Sequence, residues 1–134
     1  MRPLTPEQTV FVTERHLATL TTLRADGTPH VVPVAFTWDA DAQLVRITTE
    51  RTSVKARNIA AAEAAGVARV AVCQVDGGRW LTFEGTATVS DDAADVAEAV
   101  RRYAVRYRSL DPNPSRVVLV VRPDRVLGSG YMTH

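Results

Sequence analysis

The chain has 134 residues, 46% apolar and 23% charged, and its 16 basic against 15 acidic side chains leave a formal charge of +1. This is the composition of one globular domain over residues 1–134, which excludes disordered, collagen-like and low-complexity classes. So even a charge balance also argues against a protein that binds nucleic acid through its overall field. Cys73 is the only cysteine, so neither an internal disulfide nor a multi-cysteine zinc site is expected. The longest strongly apolar run, Val117 to Val121, is far too short to span a bilayer, and no membrane partner is expected. The first residues, Met1 to Glu7, lack the apolar core of a signal peptide, which points to a soluble cytoplasmic protein.

In chain order, Thr5-Pro6-Glu7 offers a cap followed by proline at a first helical position, and Val10, Phe11 and Glu14 continue a short helix to about His16. The threonine- and leucine-rich stretch Leu17 to Leu23 suits a strand. Asp26-Gly27 turns the chain into a second strand, His30 to Trp38, in which Pro33 predicts an edge or a bulge. After a turn at Asp39 to Ala42, Gln43 to Thr49 completes a three-stranded meander. Ser53 to Ala65 reads as a helix with a serine cap, an alanine run and Gly66 as its stop. Val67 to Val75 and Trp80 to Val89 follow as strands around Asp76-Gly77-Gly78, the second with clean period-two alternation. Ser90-Asp91-Asp92 caps a helix whose Val96, Val100, Tyr103 and Tyr107 form one stripe. Beyond the loop Asp111 to Pro114, Arg116 to Arg122 and Arg125 to Gly128 are the closing strands.

Six or seven antiparallel strands interrupted by three helices suggest a small, mainly β barrel with helical plugs. Such a barrel has little interior room, so a sizeable ligand would sit outside it or at a subunit interface. The nucleophile-elbow, phosphate-loop and zinc-protease patterns are absent. His16, His30 and His134 are far apart, without ligand spacing, and read as strand-end or surface residues; no metal site and no catalytic acid or base is identified. Cys73 reads as a small buried filler.

One polar cluster stands out. Thr48 to Asn58 packs hydroxyls, the cations Arg51, Lys55 and Arg57, and an amide around a helix start. Helix N-termini offer free N–H groups and a partial positive charge that suit an anion. Lys55, the only lysine beside fifteen arginines, opposes the macrodipole there, and a bound phosphate would compensate both.

Three stretches carry a family resemblance: Leu20 to Val34 (Leu-Thr-Thr-Leu-Arg-Ala-Asp-Gly-Thr-Pro-His-Val-Val-Pro-Val), Thr48-Thr49, and Ser53-Val54-Lys55-Ala56-Arg57-Asn58. They resemble the split-barrel flavin and deazaflavin oxidoreductases, relatives of pyridoxamine 5'-phosphate oxidase. Gln74 to Gly85 and Arg102 to Arg108 are most similar to the branch that uses the deazaflavin coenzyme F420, and within it to the biliverdin reductases. The resemblance implies a six-stranded antiparallel split β-barrel with flanking helices, forming a homodimer with two cofactor sites at its interface. It places the cofactor phosphate at Thr49, Ser53, Lys55 and Asn58, within the cluster that also holds Thr48 and Arg57. It lays the ring along Pro33 and Val34, and brings Gln74 and Trp80 toward the ring from the other subunit. Arg51 and Arg57 are candidates for the polyglutamate tail of the deazaflavin.

The activity so implied is hydride transfer from reduced F420 to a small conjugated acceptor, a bilin such as biliverdin or a quinone-like compound. The cofactor carries the redox chemistry while the protein orients and shields it, which fits a chain without an evident acid or base. The alternatives are an FMN-dependent oxidoreductase of the same fold and a flavin or haem carrier without turnover. Pyridoxamine phosphate oxidases proper carry further substrate-phosphate residues near their C-terminus, so that substrate is not expected here.

Overall fold

The structure is a computed structural model in which residues 1–130 are described; His134 lies outside them. Helix α1 (Pro6–Thr13) opens on a capping box, in which Thr5 and Gln8 each accept the other's backbone N–H. Strands β1 (Ala18–Leu23), β2 (Pro29–Val34), β3 (Thr37–Asp39) and β4 (Leu44–Glu50) follow. Helix α2 (Val54–Ala64) separates them from β5 (Ala68–Asp76) and β6 (Arg79–Ser90), and α3 (Ala93–Arg106) precedes β7 (Arg116–Gly128). Among the described residues no helix is long and apolar enough to cross a membrane.

The seven strands form one sheet in the order β2-β1-β5-β6-β7-β4-β3, with every pairing antiparallel. β2 and β3 are the two ends of that order, yet only Ala35 and Phe36 separate them in sequence. The sheet must therefore curl until its edges meet, which makes it a barrel split beside one short link. The expected mainly β barrel with flanking helices is found, but the strand count is seven rather than six. The expected strand from His30 to Trp38 is two strands, because the chain crosses from one sheet edge to the other at Ala35–Phe36, where Phe36 is fully buried. Pro33 lies within β2 opposite Thr19, and as an edge strand β2 tolerates its missing N–H.

The two expected closing strands are the single strand β7. Its pairing with β6 shifts register between Glu84 and Gly85, so that Gly85 faces Pro123 while Glu84 faces Arg125. A Cβ on Gly85 would stand 2.2 Å from the Arg122 carbonyl oxygen, which is why this crossing requires glycine.

The core fills the barrel with the inward residues of the strands. Phe83 packs edge-on against Phe36 and stacks on Trp38, with centroids 5.9 and 4.9 Å away. Ala56 and Ile59 of α2 and Phe11 and Val12 of α1 complete it. The opposite face of β2-β1-β5-β6-β7 carries Leu23, Val31, Val75, Trp80 and Leu127, all exposed.

Candidate functional site

A cavity of about 320 Å³ opens between the end of β2, strand β4, the start of α2 and the segment that follows α3. Five of the expected residues line it: Pro33, Val34, Thr48, Thr49 and Lys55. They come together because β4 delivers its two threonines directly into the cap of α2. Thr49 Oγ1 donates to Ser53 Oγ (3.1 Å), and Ser53 Oγ accepts the Ala56 N–H (3.3 Å). Ser53 thus builds the helix start that borders the cavity.

The start of α2 is electrostatically unmet. Its first turn holds no acidic residue, and the N–H groups of Val54 and Lys55 have no acceptor among the described residues. Lys55, half-buried, makes no ion pair or hydrogen bond there either. Of this helix start Lys55 lines the cavity, together with the apolar Val34, Ala35, Ile47 and Leu110 and the carboxylate Glu50. An anion with an attached apolar ring fits that division of chemistry.

Four polar cavity residues were not singled out as site residues from the sequence: Glu50, Tyr103, Asn113 and Arg116. Glu50 accepts from Ser115 Oγ (2.5 Å) and from Asn113 Nδ2, and these bonds hold its carboxyl below its ordinary range. Arg116 Nη2 donates to the Asp111 carbonyl (3.0 Å). The signal for them was weak. Asp111-Pro112-Asn113-Pro114 reads only as a loop, and Tyr103 shares the stripe that buries the helix.

The remaining expected residues lie elsewhere. Asn58, one turn further along α2, donates to Thr22 Oγ1 on β1 (3.0 Å) and lines a separate cleft of about 90 Å³. Arg57 is exposed, and Arg51 contacts Asp91 at 3.4 Å. Trp80 stands 37% exposed on the outer sheet face. Gln74 is fully buried: its Nε2 donates to the Phe11 carbonyl (2.8 Å) and its Oε1 accepts from Arg106 (2.7 Å).

His16 is held by Glu14 (3.0 Å) and lies 3.8 Å from Asp76, the one grouping among the described residues with metal-ligand proximity. Arg79 already donates to both carboxylates, so that cluster is occupied by the protein's own cation. Cys73 is half-buried beside Thr19 and Thr82 on the outer face.

The family described as pyridoxamine 5'-phosphate oxidase matches residues 4–130. A curated relative from Mycobacterium tuberculosis (strain CDC 1551 / Oshkosh), named F420H2-dependent biliverdin reductase, is 50% identical over 126 residues, covering 94% of this chain and 88% of that protein. A solved structure titled F420 reductase is 28% identical with a TM-score of 0.68, covering 88% of this chain and 94% of its own. A conserved hypothetical protein from Mycobacterium tuberculosis shares the fold alone, at 20% identity and a TM-score of 0.74, over 96% of this chain and 88% of its own.

Proposed function

This chain belongs to the pyridoxamine 5'-phosphate oxidase family, and on that premise we propose that it is a reductase that uses reduced coenzyme F420, with biliverdin as its acceptor. When bound, the reduced deazaflavin would supply a hydride to a carbon of the acceptor, and a proton completes the two-electron reduction. The 50% identical relative supports the choice of cofactor and acceptor. The observation that carries the reading on this chain is Lys55, an ammonium without a partner among the described residues, at a helix start whose first turn holds no acidic residue, lining the cavity.

The residues present suit the group. Lys55 and the amides of Val54 and Lys55 offer donors to a phosphate, with the hydroxyls of Thr48 and Thr49 beside them. Val34, Ala35, Ile47 and Leu110 offer an apolar wall that excludes water from a ring. Glu50, fixed by Ser115 and Asn113, lines the same cavity as a carboxylate, so the donors on Lys55 and the threonines must outweigh its repulsion of a phosphate. Anaerobic mixing of the protein with reduced F420 and biliverdin tests this reading.

The working unit of this reading is a homodimer formed through the outer face of β2-β1-β5-β6-β7. Val31, Val75 and Leu23 are 56%, 57% and 46% exposed on that one face, at its two ends with Thr19, Thr21 and Cys73 between, and no helix among the described residues covers them. Trp80 lies on it and would meet a second copy there.

A further inference from the structure

On the far side of α3 from the candidate cofactor cavity lies a second pocket of about 230 Å³, which shares no lining residue with the first. Val12 of α1, Trp38 of β3 and Val105 of α3 give it an apolar wall, and Thr37 and Arg106 are its buried polar residues. Arg106 is only 8% exposed, yet it has no carboxylate partner among the described residues. Its Nε donates to the Glu14 carbonyl (3.1 Å). Its Nη2 donates to the same carbonyl (2.6 Å) and to Gln74 Oε1 (2.7 Å), and its Nη1 donates once, to the Phe36 carbonyl. One Nη1 hydrogen is left without an acceptor. The Thr37 hydroxyl and the Trp38 indole N–H are likewise buried without a partner.

Every unmet polar group on this pocket is therefore able to donate, and the charge beside them is an uncompensated cation. Buried donors and buried charges are costly unless an acceptor or counter-charge reaches them. Burial also pulls the Arg106 guanidinium down from the ordinary arginine range.

We propose that this pocket binds a small organic carboxylate, its oxygens facing Arg106 and Thr37 and its apolar body against Val12 and Val105. Arg102 also lines the pocket, but its charge is already met by Asp39 (3.1 Å) and Glu98 (2.7 Å), which leaves Arg106 as the guanidinium without a carboxylate there. The proposal does not depend on which cofactor the first cavity takes, since the two sites have no residue in common.

The test is a titration of the full-length, ¹⁵N-labelled protein with benzoate and with its neutral isostere benzamide at fixed ionic strength, followed by NMR. The chain has two tryptophans, so Trp80 on the outer sheet face serves as an internal control. Benzoate should shift the Trp38 indole N–H saturably and leave Trp80 unmoved, while benzamide binds about tenfold more weakly or not at all. Val105→Glu changes a residue 78% exposed, so the fold is not at risk. It places a tethered carboxylate at the pocket and should weaken benzoate about tenfold or more, while Thr37→Val weakens it several-fold. An unmoved Trp38 resonance, equal binding of benzoate and benzamide as in a merely water-filled apolar slot, or native affinity in Val105→Glu would each overturn the proposal.

Discussion

Arg106 Nη2 stands 2.7 Å from Gln74 Oε1, and through that contact the last turn of α3 is joined to the middle of the barrel. The opposite end of the same amide donates to the carbonyl of Phe11 in α1 (2.8 Å), so one glutamine ties two helices to β5. The guanidinium also lies over the rings of Phe36 and Tyr107, at 4.6 and 4.9 Å from their centroids. Tyr107 donates to the Phe36 carbonyl as well (3.0 Å). The link between β2 and β3, which borders the candidate cofactor cavity through Ala35, is thus held from α3.

Gln74→Leu keeps the volume but strands one Arg106 N–H in the interior, while the Phe11 carbonyl keeps only the longer bond from the Glu14 N–H (3.3 Å). Unfolding in urea should show a loss of about 1–3 kcal/mol, toward the upper end because the stranded donor is charged. A loss under about 0.5 kcal/mol would mean that water replaces the amide.

The alternation along β5 already contained this result. Gln74 is in phase with Ala68, Val70 and Val72, all buried, whereas Ala71 and Cys73 face outward. A polar residue in an inward phase must find buried partners, and its partners, Phe11 and Arg106, lie 63 residues before and 32 after it. Such long-range pairing leaves no local signal. The helices were legible for the opposite reason, since the caps Thr5, Ser53 and Asp92 act within three residues. The β2–β3 break was not legible at its true place. Pro33 drew attention to itself, while the crossing at Ala35–Phe36 is imposed by closure of the sheet. Within the site, Thr48, Thr49 and Lys55 could be found because they are contiguous with the α2 cap. Asn113 and Arg116 enter the cavity only because β7 pairs with β4 from Arg116 opposite Glu50.

Acid should weaken the protein through Glu98 among other groups. Bonds from Arg101 and Arg102 depress its carboxyl from 4.5 to about 2. A depressed folded-state value stabilises the fold above the unfolded value and ceases to do so as pH falls from about 4.5 toward 2. Denaturation midpoints in Glu98→Gln should therefore fall less steeply than in the native protein over that window and run parallel to it above pH 6. The difference is modest, because the pair lies on the helix surface. Identical acid limbs would contradict it.

The outer face predicts the oligomeric state. Sedimentation at low micromolar concentration should find a dimer, and Val31→Glu, which adds a charge at a position 56% exposed, should give a folded monomer. A native chain that sediments as a monomer while binding cofactor would contradict the dimeric reading.

Lys55→Ala should weaken F420 binding ten- to a hundredfold, about 1.5–3 kcal/mol for a charge-assisted bond to phosphate. The thermal midpoint should not drop, since the lysine opposes the macrodipole of α2. Lys55→Arg should restore part of the affinity, its planar fork aiming donors differently. Fluorescence titration of all three proteins reads this directly, and equal dissociation constants would remove Lys55 from the site.

The central claim is F420-dependent reduction of biliverdin. The most direct measurement mixes the protein anaerobically with reduced F420 and biliverdin and follows both chromophores, with FMN plus NADPH as the control. Catalytic, one-to-one conversion of reduced F420 and biliverdin to oxidised F420 and bilirubin, absent in the FMN arm, is the predicted result. Turnover with FMN alone, or tight binding of F420 without any consumption of biliverdin, would contradict it.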